Sequence, residues 1–471
     1  MSDITSIMMD MLELLGDQNP QWREPSARRA QRFPFRRRPV ERCRNQLTGS
    51  ANPRAIALIG PRHVGKTVVL WQLCDLLLAD GVPARSIVYC NLADERWPEP
   101  PTPRAIVRAA ESGLAPGHPM VVLLDEIQVA SRWHAWLKLA VDEGRHRFLV
   151  TGSAASALAH GARESGLGRW DELEIESFAY DEFCGLLMDG ASVHGAGAGR
   201  PPKAFDRYLA SSGFPAHAQE SNESRVRERL RQDIVERAIV RDLQRLRVDV
   251  EQARRLFLHL VEQSGGLLNV QNRAADLGVN RKSLSKWLSH LLDTRLLVEV
   301  RPTTTRQGRG AGKAVRSLRA RPKIHVADHG LVSAFAPVPA PLEDPHFRGQ
   351  AFEAVVFRHL REAARRVRAD ATLFARHGDP QLSYWRGEGD ARGEIDFIMD
   401  LRTRRIAIEV TAARSPGRDK LAKLESAARR AGADACVLVC DAIAASRVGG
   451  VDIVPIEPFA FDPCSYLEIG K

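Results

Sequence analysis

The chain has 471 residues, enough for two to four domains with separate cores, and its 44% hydrophobic content is that of an ordinary soluble protein. No stretch approaches the roughly 18 consecutive apolar residues of a membrane span, and the first twenty residues carry Asp3, Asp10, Glu13 and Asp17 with no Lys or Arg, the wrong charge for a leader, so the expected location is cytoplasmic. The seven cysteines, Cys43, Cys74, Cys90, Cys184, Cys436, Cys440 and Cys464, are odd in number and lack paired C-x-x-C spacing, which argues against a disulfide framework or a zinc site, while the formal charge of +10 favours polyanionic partners.

Residues 1–50 divide into an acidic segment and an arginine-rich one. Over residues 1–20, Ile4, Ile7, Met8, Met11, Leu12 and Leu15 recur at helical spacing and predict a short amphipathic helix, either a docking or self-association helix or a frayed terminus. Residues 22–44 hold nine arginines against Glu24 and Glu41, with Pro34 and Pro39 among them, and read as a linker or as a polyanion-binding block.

From residue 51 to 188 the pattern is strand, loop, helix, repeated. Apolar runs at 56–59, 86–92, 121–126 and 147–151 alternate with helical patterns, which predicts an α/β fold with a doubly wound parallel sheet whose ligands sit at the C-terminal strand ends. Between the first strand and the next helix stands Gly60-Pro61-Arg62-His63-Val64-Gly65-Lys66-Thr67, the spacing G-x-x-x-x-G-K-[ST]. The two glycines accept dihedrals that let successive backbone N–H groups curl round a phosphate, Lys66 reaches the β/γ-phosphates, Thr67 ligates Mg²⁺, and Val68 continues the helix whose N-terminus faces the nucleotide. The expected cofactors are therefore ATP and Mg²⁺. The run Val121-Val122-Leu123-Leu124 delivers Asp125 and Glu126 to the same strand ends, Asp125 to hold Mg²⁺ through its water shell and Glu126 to polarise an attacking water. Thr151-Gly152-Ser153 ends the fourth strand and offers hydroxyls to the γ-phosphate, with Ser153 as a nucleotide contact.

Gly-Pro-Arg-x-Val-Gly-Lys-Thr, Leu-Leu-Asp-Glu-Ile-Gln and Leu-Val-Thr-Gly-Ser together resemble a large family of prokaryotic AAA-type ATPases. In that family the ATPase is followed by a region of unknown function that ends in a restriction-endonuclease-like fold. The resemblance continues through Gly168-Arg169, Glu182-Phe183, Gly213-Phe214-Pro215 and Arg241-Asp242-Leu243. It implies that Arg169 contacts nucleotide, its own or a neighbour's; the alternative is a surface salt-bridge arginine.

Residues 189–203 are low in complexity and read as a flexible loop, and the charged helical pattern that follows makes residues 189–250 a loop plus a helical lid or strut. Residues 251–335 predict a winged helix-turn-helix: helices at 253–263, 270–277 and 281–292, the turn Gly278-Val279-Asn280, and a strand at 296–300. Arg281, Lys282, Ser283 and Lys286 stay polar at the start of the third helix, where a major-groove reader places its contacts, and residues 301–323, with six arginines, two lysines and no acid, form the basic wing. DNA is one expected partner; the other reading is a module packed against the ATPase or a protein partner.

The last segment, residues 340–471, resembles the PD-(D/E)XK nuclease fold, in which an Asp on one strand and a Glu-x-Lys on the next converge on Mg²⁺. The resemblance implies Asp396 and Glu409 as metal ligands, with Glu353 from the preceding helix as a third. Thr411 stands where that pattern has lysine, so either Lys420 or Lys423 reaches in from the following helix, or the fold serves binding rather than cleavage. The chain as a whole reads as an ATPase that couples its nucleotide state to the winged-helix and nuclease-like regions. The alternatives are a nucleotide-gated DNA- or protein-binding switch with slow hydrolysis, and a Mg²⁺-dependent nuclease with an accessory ATPase.

Overall fold

A computed structural model describes residues 2–49, 54–99, 101–152, 168–188, 200–240, 248–303, 321–369, 382–387, 393–401 and 404–469. The chain forms two compact units, Met1–Glu176 with Gly185–Ser192 and Asp293–Arg295, and Ser177–Cys184 with Val193–Leu292 and Leu296–Lys471. Among the described residues no helix is long and apolar enough to cross a membrane.

The first unit is built on a five-stranded sheet of β1 (Ala55–Ile59), β2 (Ile87–Asn91), β3 (Val121–Asp125), β4 (Arg147–Thr151) and β5 (Trp170–Glu174), in the order β2-β3-β4-β1-β5 with every pairing parallel. All five residues of β1 are buried, as a central strand covered on both faces requires. The crossovers are α3 (Lys66–Ala79), α4 (Pro103–Glu111) and α5 (Trp133–Glu143), preceded in the chain by α1 (Ser2–Gln18) and α2 (Arg38–Thr48). Strand β5 carries no continuous apolar run. Only Trp170 and Leu173 are buried on it, with Asp171 and Glu172 between and Glu174 after, so an edge position rather than hydrophobicity makes it a strand.

Residues 22–44, expected as a linker, are packed structure. Val40, Cys43 and Leu47 of α2 are buried, and ahead of α2 the backbone N–H groups of Arg29 and Ala30 donate to Asp75 of α3. Gln72, also on α3, donates to the carbonyls of Phe33 and Phe35 at 2.9 and 2.7 Å. The arginines disguised this order: Arg44 pairs with Asp80 and Arg36 with Glu41 at the surface, while Ala30, Phe35, Val40 and Cys43 turn inward.

The end of α1 finishes the exposed edge of β2 with side chains instead of another strand. Asn19 accepts from the Tyr89 N–H at 2.8 Å and donates to the Tyr89 carbonyl at 2.7 Å, so its amide stands in for a peptide group. Gln18 accepts from the Asn91 N–H at 2.7 Å, and Gln21 and Trp22 donate to the Ile87 carbonyl at 3.3 and 2.9 Å. An edge closed in this way is no template for another chain. The side chains of residues 1–8, including Ile4, Ile7 and Met8, lie outside the described residues.

In the second unit, α6 (Tyr180–Leu187) and α7 (Ala204–Ala210) precede α8 (Glu223–Leu230), which runs into a π-helical stretch, Arg231–Val240. Then come α9 (Val250–Glu262), β6 (Gly266–Leu267), α10 (Val270–Asp276), α11 (Arg281–Asp293), β7 (Leu297–Val300) and β8 (Lys323–Val326). The three strands pair antiparallel in the order β6-β8-β7, and the Asn269 side chain caps α10 through the N–H groups of Gln271 and Asn272. After α12 (His329–Phe335) and α13 (Pro345–Ala369) follows a six-stranded sheet of β9 (Leu382–Arg386), β10 (Glu394–Asp400), β11 (Arg405–Val410), β12 (Ala435–Cys440), β13 (Ser446–Val448) and β14 (Val451–Pro455). Its order is β13-β14-β12-β11-β10-β9, parallel from β11 through β12 to β14 and antiparallel elsewhere, with α14 (Arg418–Arg430) packed on β10 and β12. The two sheets of this unit meet where Pro302 bridges Tyr384 of β9 and the Thr303 N–H donates to the Tyr384 carbonyl at 2.8 Å. The expected loop at 189–199, Arg241-Asp242-Leu243 and residues 304–320 of the expected wing lie outside the described residues.

Candidate functional site

Strand β1 ends at Ile59, and the glycine-bounded loop follows it directly into α3. A side chain at Gly60 would place its Cβ 2.2 Å from the Ile175 carbonyl oxygen, and Gly65 has φ +89°, so neither position accepts another residue without strain. His63 is exposed at φ +63°, Arg62 and Val68 are half-buried, and Pro61 and Val64 are buried. The Lys66 ammonium donates to the carbonyls of Gly60 and Pro61 at 3.0 and 2.7 Å, holding the side chain across the mouth of the loop.

Thr67 donates its hydroxyl to Asp125 Oδ2 at 2.7 Å, which brings the start of α3 and the end of β3 onto one point. Asp125 is 1% exposed, and its other donors are the Tyr89 hydroxyl at 3.2 Å, the Thr151 hydroxyl, on Oδ1, and the Glu126 N–H, also on Oδ1, at 3.1 Å. Burial raises the Asp125 pKa, opposed by the hydrogen bonds from Thr151 and Thr67. A hydroxyl and a carboxylate side by side are the hard oxygen ligands that Mg²⁺ takes, so the residues present fit the ion that the loop motif implies. Thr151 differs from its expectation as a γ-phosphate sensor: it is fully buried and turned onto Asp125.

Glu126 adopts φ +54°, and its carboxylate accepts a hydrogen bond from Gln128 Nε2. Arg37, 4% exposed, donates to the Val64 carbonyl at 2.8 Å and to the Glu176 carbonyl at 2.9 Å, tying the arginine-rich segment to the loop. Arg37 and Tyr89 are absent from the motif reading, because only the fold brings them to the loop, whereas Gln128 ends the Leu-Leu-Asp-Glu-Ile-Gln run. Arg169 forks onto Asp142, with Nε at 3.1 Å and Nη2 at 3.3 Å, as a partly exposed ion pair. Ser153 lies outside the described residues.

In the second unit, Asp396 of β10, Glu409 of β11 and Glu353 of α13 lie within one electrostatic cluster, yet no three His, Cys, Asp or Glu side chains among the described residues group as a metal-holding set. Asp396 Oδ2 accepts from the Val410 N–H at 3.1 Å, and Glu409 Oε2 accepts from the Asp396 N–H at 3.4 Å, so both acids are partly used by backbone. Thr411 directs its hydroxyl to the Ala413 N–H, Lys423 is exposed, and Lys420 acts on Glu409 only through its field. The cation that does enter is Lys323 of β8, which the sequence analysis counts in the basic wing; it is buried, and its Nζ lies 2.6 Å from Glu394 Oε1 and 3.5 Å from Asp396 Oδ1.

On α11, Arg281, Lys282 and Lys286 are exposed and form no ion pair with a described residue, while Asn280 caps the helix through the Ser283 N–H at 2.9 Å.

Residues 52–184 match the family model described as an AAA domain, and residues 202–342 and 348–459 match two models, each described as a domain of unknown function (DUF8612 and DUF4143). No curated protein matches the chain. Among solved structures the chain is similar to the Thermotoga maritima RuvB Holliday junction branch migration motor, at 17% identity over 60% of this chain and 90% of that one, with a TM-score of 0.26. It is also similar to the Aeropyrum pernix ORC1 protein in complex with DNA (14% identity, 66% and 92% covered, TM-score 0.28) and to the Aeropyrum pernix ORC2 protein in its ADP form (13%, 55% and 85%, 0.28). The family match over residues 52–184 supports an AAA-type ATPase.

Proposed function

We propose that the first unit binds ATP with Mg²⁺ between Gly60 and Val68 and hydrolyses it, and that its nucleotide state is coupled to the C-terminal region. The observation that carries this reading is the 2.7 Å hydrogen bond from Thr67 to Asp125, which joins the two motifs at one point. Backbone N–H groups of the loop receive the phosphates at the N-terminus of α3, and Lys66 exchanges the Gly60 and Pro61 carbonyls for phosphate oxygens. Thr67 and Asp125 would hold the magnesium, which would supply positive charge against that developing on the transferred phosphoryl group. Glu126 leaves Gln128 and orients the attacking water. Arg169, once free of Asp142, serves nucleotide held by its own or a neighbouring chain. Release of inorganic phosphate by the full chain tests this. Lys66→Ala is expected to reduce it by about 10²-fold or more; phosphate release that survives the substitution removes the ATPase reading.

A second reading, a nucleotide-gated DNA-binding switch, is favoured by the unpaired cations of α11. We read α9, α10 and α11 with the β6-β8-β7 sheet as a winged helix, and the six-stranded sheet with α13 and α14 as a nuclease-like fold. If Arg281, Lys282 and Lys286 each neutralise one phosphate, removing all three should flatten the plot of log affinity against log salt by about 2.7. An unchanged slope refutes groove binding by α11.

A further inference from the structure

Fully burying a lysine amine among aromatic and aliphatic side chains is unfavourable unless fixed negative charge compensates it. Lys323 is 3% exposed, with Nζ 5.4 Å above the Tyr384 ring and within reach of Glu394 and Asp396. Burial alone would lower its pKa, but the fields of Asp396, Glu353 and Glu394 outweigh burial and hold it above the ordinary lysine value. The ammonium therefore stays charged among carboxylates contributed by α13 and β10, Glu353, Glu394 and Asp396.

The groups around it respond to that arrangement. Glu353 and Glu409 are both pushed up to about 8, by burial first and by the Asp396 charge second, with Lys323 acting in the opposite direction on each and Lys420 adding to it at Glu409. Glu353 is one-fifth exposed overall, yet its Oε1 is sealed and without a hydrogen-bond partner, 3.7 Å from His325 Nδ1. His325 is fully buried between Phe357 and Phe397, and burial with the nearby Lys323 charge keeps its ring neutral.

We propose that Lys323 is the resident cation of this cluster: its ammonium occupies the place that a divalent metal would take between Asp396 and the neighbouring carboxylates, and excludes one. Asp396 Oδ1 is met by Lys323, its Oδ2 by the Val410 N–H and Glu409 Oε2 by the Asp396 N–H, so Mg²⁺ or Mn²⁺ would have to displace these donors to be coordinated by the two acids. A strand from the three-stranded sheet thus closes the acidic face of the six-stranded one. Removing the amine should uncover a latent metal site with carboxylate ligands.

Mn²⁺ binding to the nucleotide-free full chain, followed by electron paramagnetic resonance, tests this independently of the ATPase reading. Wild type and Asp396→Asn are expected to bind Mn²⁺ equally, while Lys323→Met gains a site at least tenfold tighter that Asp396→Asn in the same background abolishes. Lys323→Arg, which keeps the charge, should behave as wild type. A Mn²⁺ site in wild type that Asp396→Asn removes overturns the proposal, as does a folded Lys323→Met chain with no gain. If Lys323→Met does not fold, the wild-type and Asp396→Asn pair decides the matter.

Discussion

Asp125 and Asp396 are carboxylates at or near strand ends in two different sheets, and their surroundings differ in one respect that separates their chemistry. Asp125 is solvated by neutral donors, the hydroxyls of Thr67, Tyr89 and Thr151. Such donors lower the cost of burying the acid without cancelling its charge, so the carboxylate keeps a demand for a cation that arrives with a ligand. Asp396 has a lysine beside it, and that demand is met from within the chain. The difference is between an acid hydrogen-bonded by neutral hydroxyls and one in direct contact with a buried ammonium.

The contrast can be broken first at Glu126. Glu126→Gln should lower phosphate release by about 10²-fold while ATP binding persists, because positioning of the water is lost and the phosphate cradle is not. Equal loss of binding and turnover would place Glu126 in the cradle instead.

Next in size is Lys323→Met, expected to destabilise the second unit by about 3 kcal/mol, since removing one member of a buried pair leaves charge uncompensated. The effect should depend on pH. Glu353 and Glu409 have folded pKa values raised above their unfolded ones, so their contribution is fully present below about 4.5 and is lost as pH rises through about 8. Urea midpoints of the second unit should therefore fall between pH 5 and pH 8, and the gap between wild type and Lys323→Met should widen over the same range. A gap that narrows toward pH 8 would contradict the assignment of Lys323 as counter-ion.

Arg37→Ala should weaken ATP binding about tenfold, an effect of about 1.4 kcal/mol, by releasing the Val64 carbonyl. Nucleotide titration of the variant measures it, and Arg37→Lys should recover part of the loss. Smallest is Arg169→Ala, whose exposed pair with Asp142 should contribute less than about 0.5 kcal/mol to stability, so that any larger effect on turnover belongs to nucleotide contact.

The central strands of the first sheet were legible because burial on both faces demands unbroken apolar runs, as in Val121–Asp125. The loop was legible because phosphate binding constrains consecutive residues. Strand β5 was not, since an edge strand tolerates Asp171, Glu172 and Glu174. The arginine-rich segment hid its order because composition records charge and not the direction in which Val40, Cys43 and Leu47 point. Arg37 reaches Val64 across 27 positions and Lys323 reaches Asp396 across 73, distances at which local spacing carries no signal. Thr411 correctly announced that no lysine follows Glu409, but only the pairing of β8 beside β7 reveals where an amine enters from.

The side chains of residues 18–22 have a practical corollary. A recombinant fragment trimmed to begin just ahead of Ala55 would strip four main-chain groups, on Ile87, Tyr89 and Asn91, of their bonding partners along a fully formed ribbon. Such a truncate should self-associate through that bared border, and grafting the opening segment back in trans, as a synthetic peptide, should dissolve the aggregates.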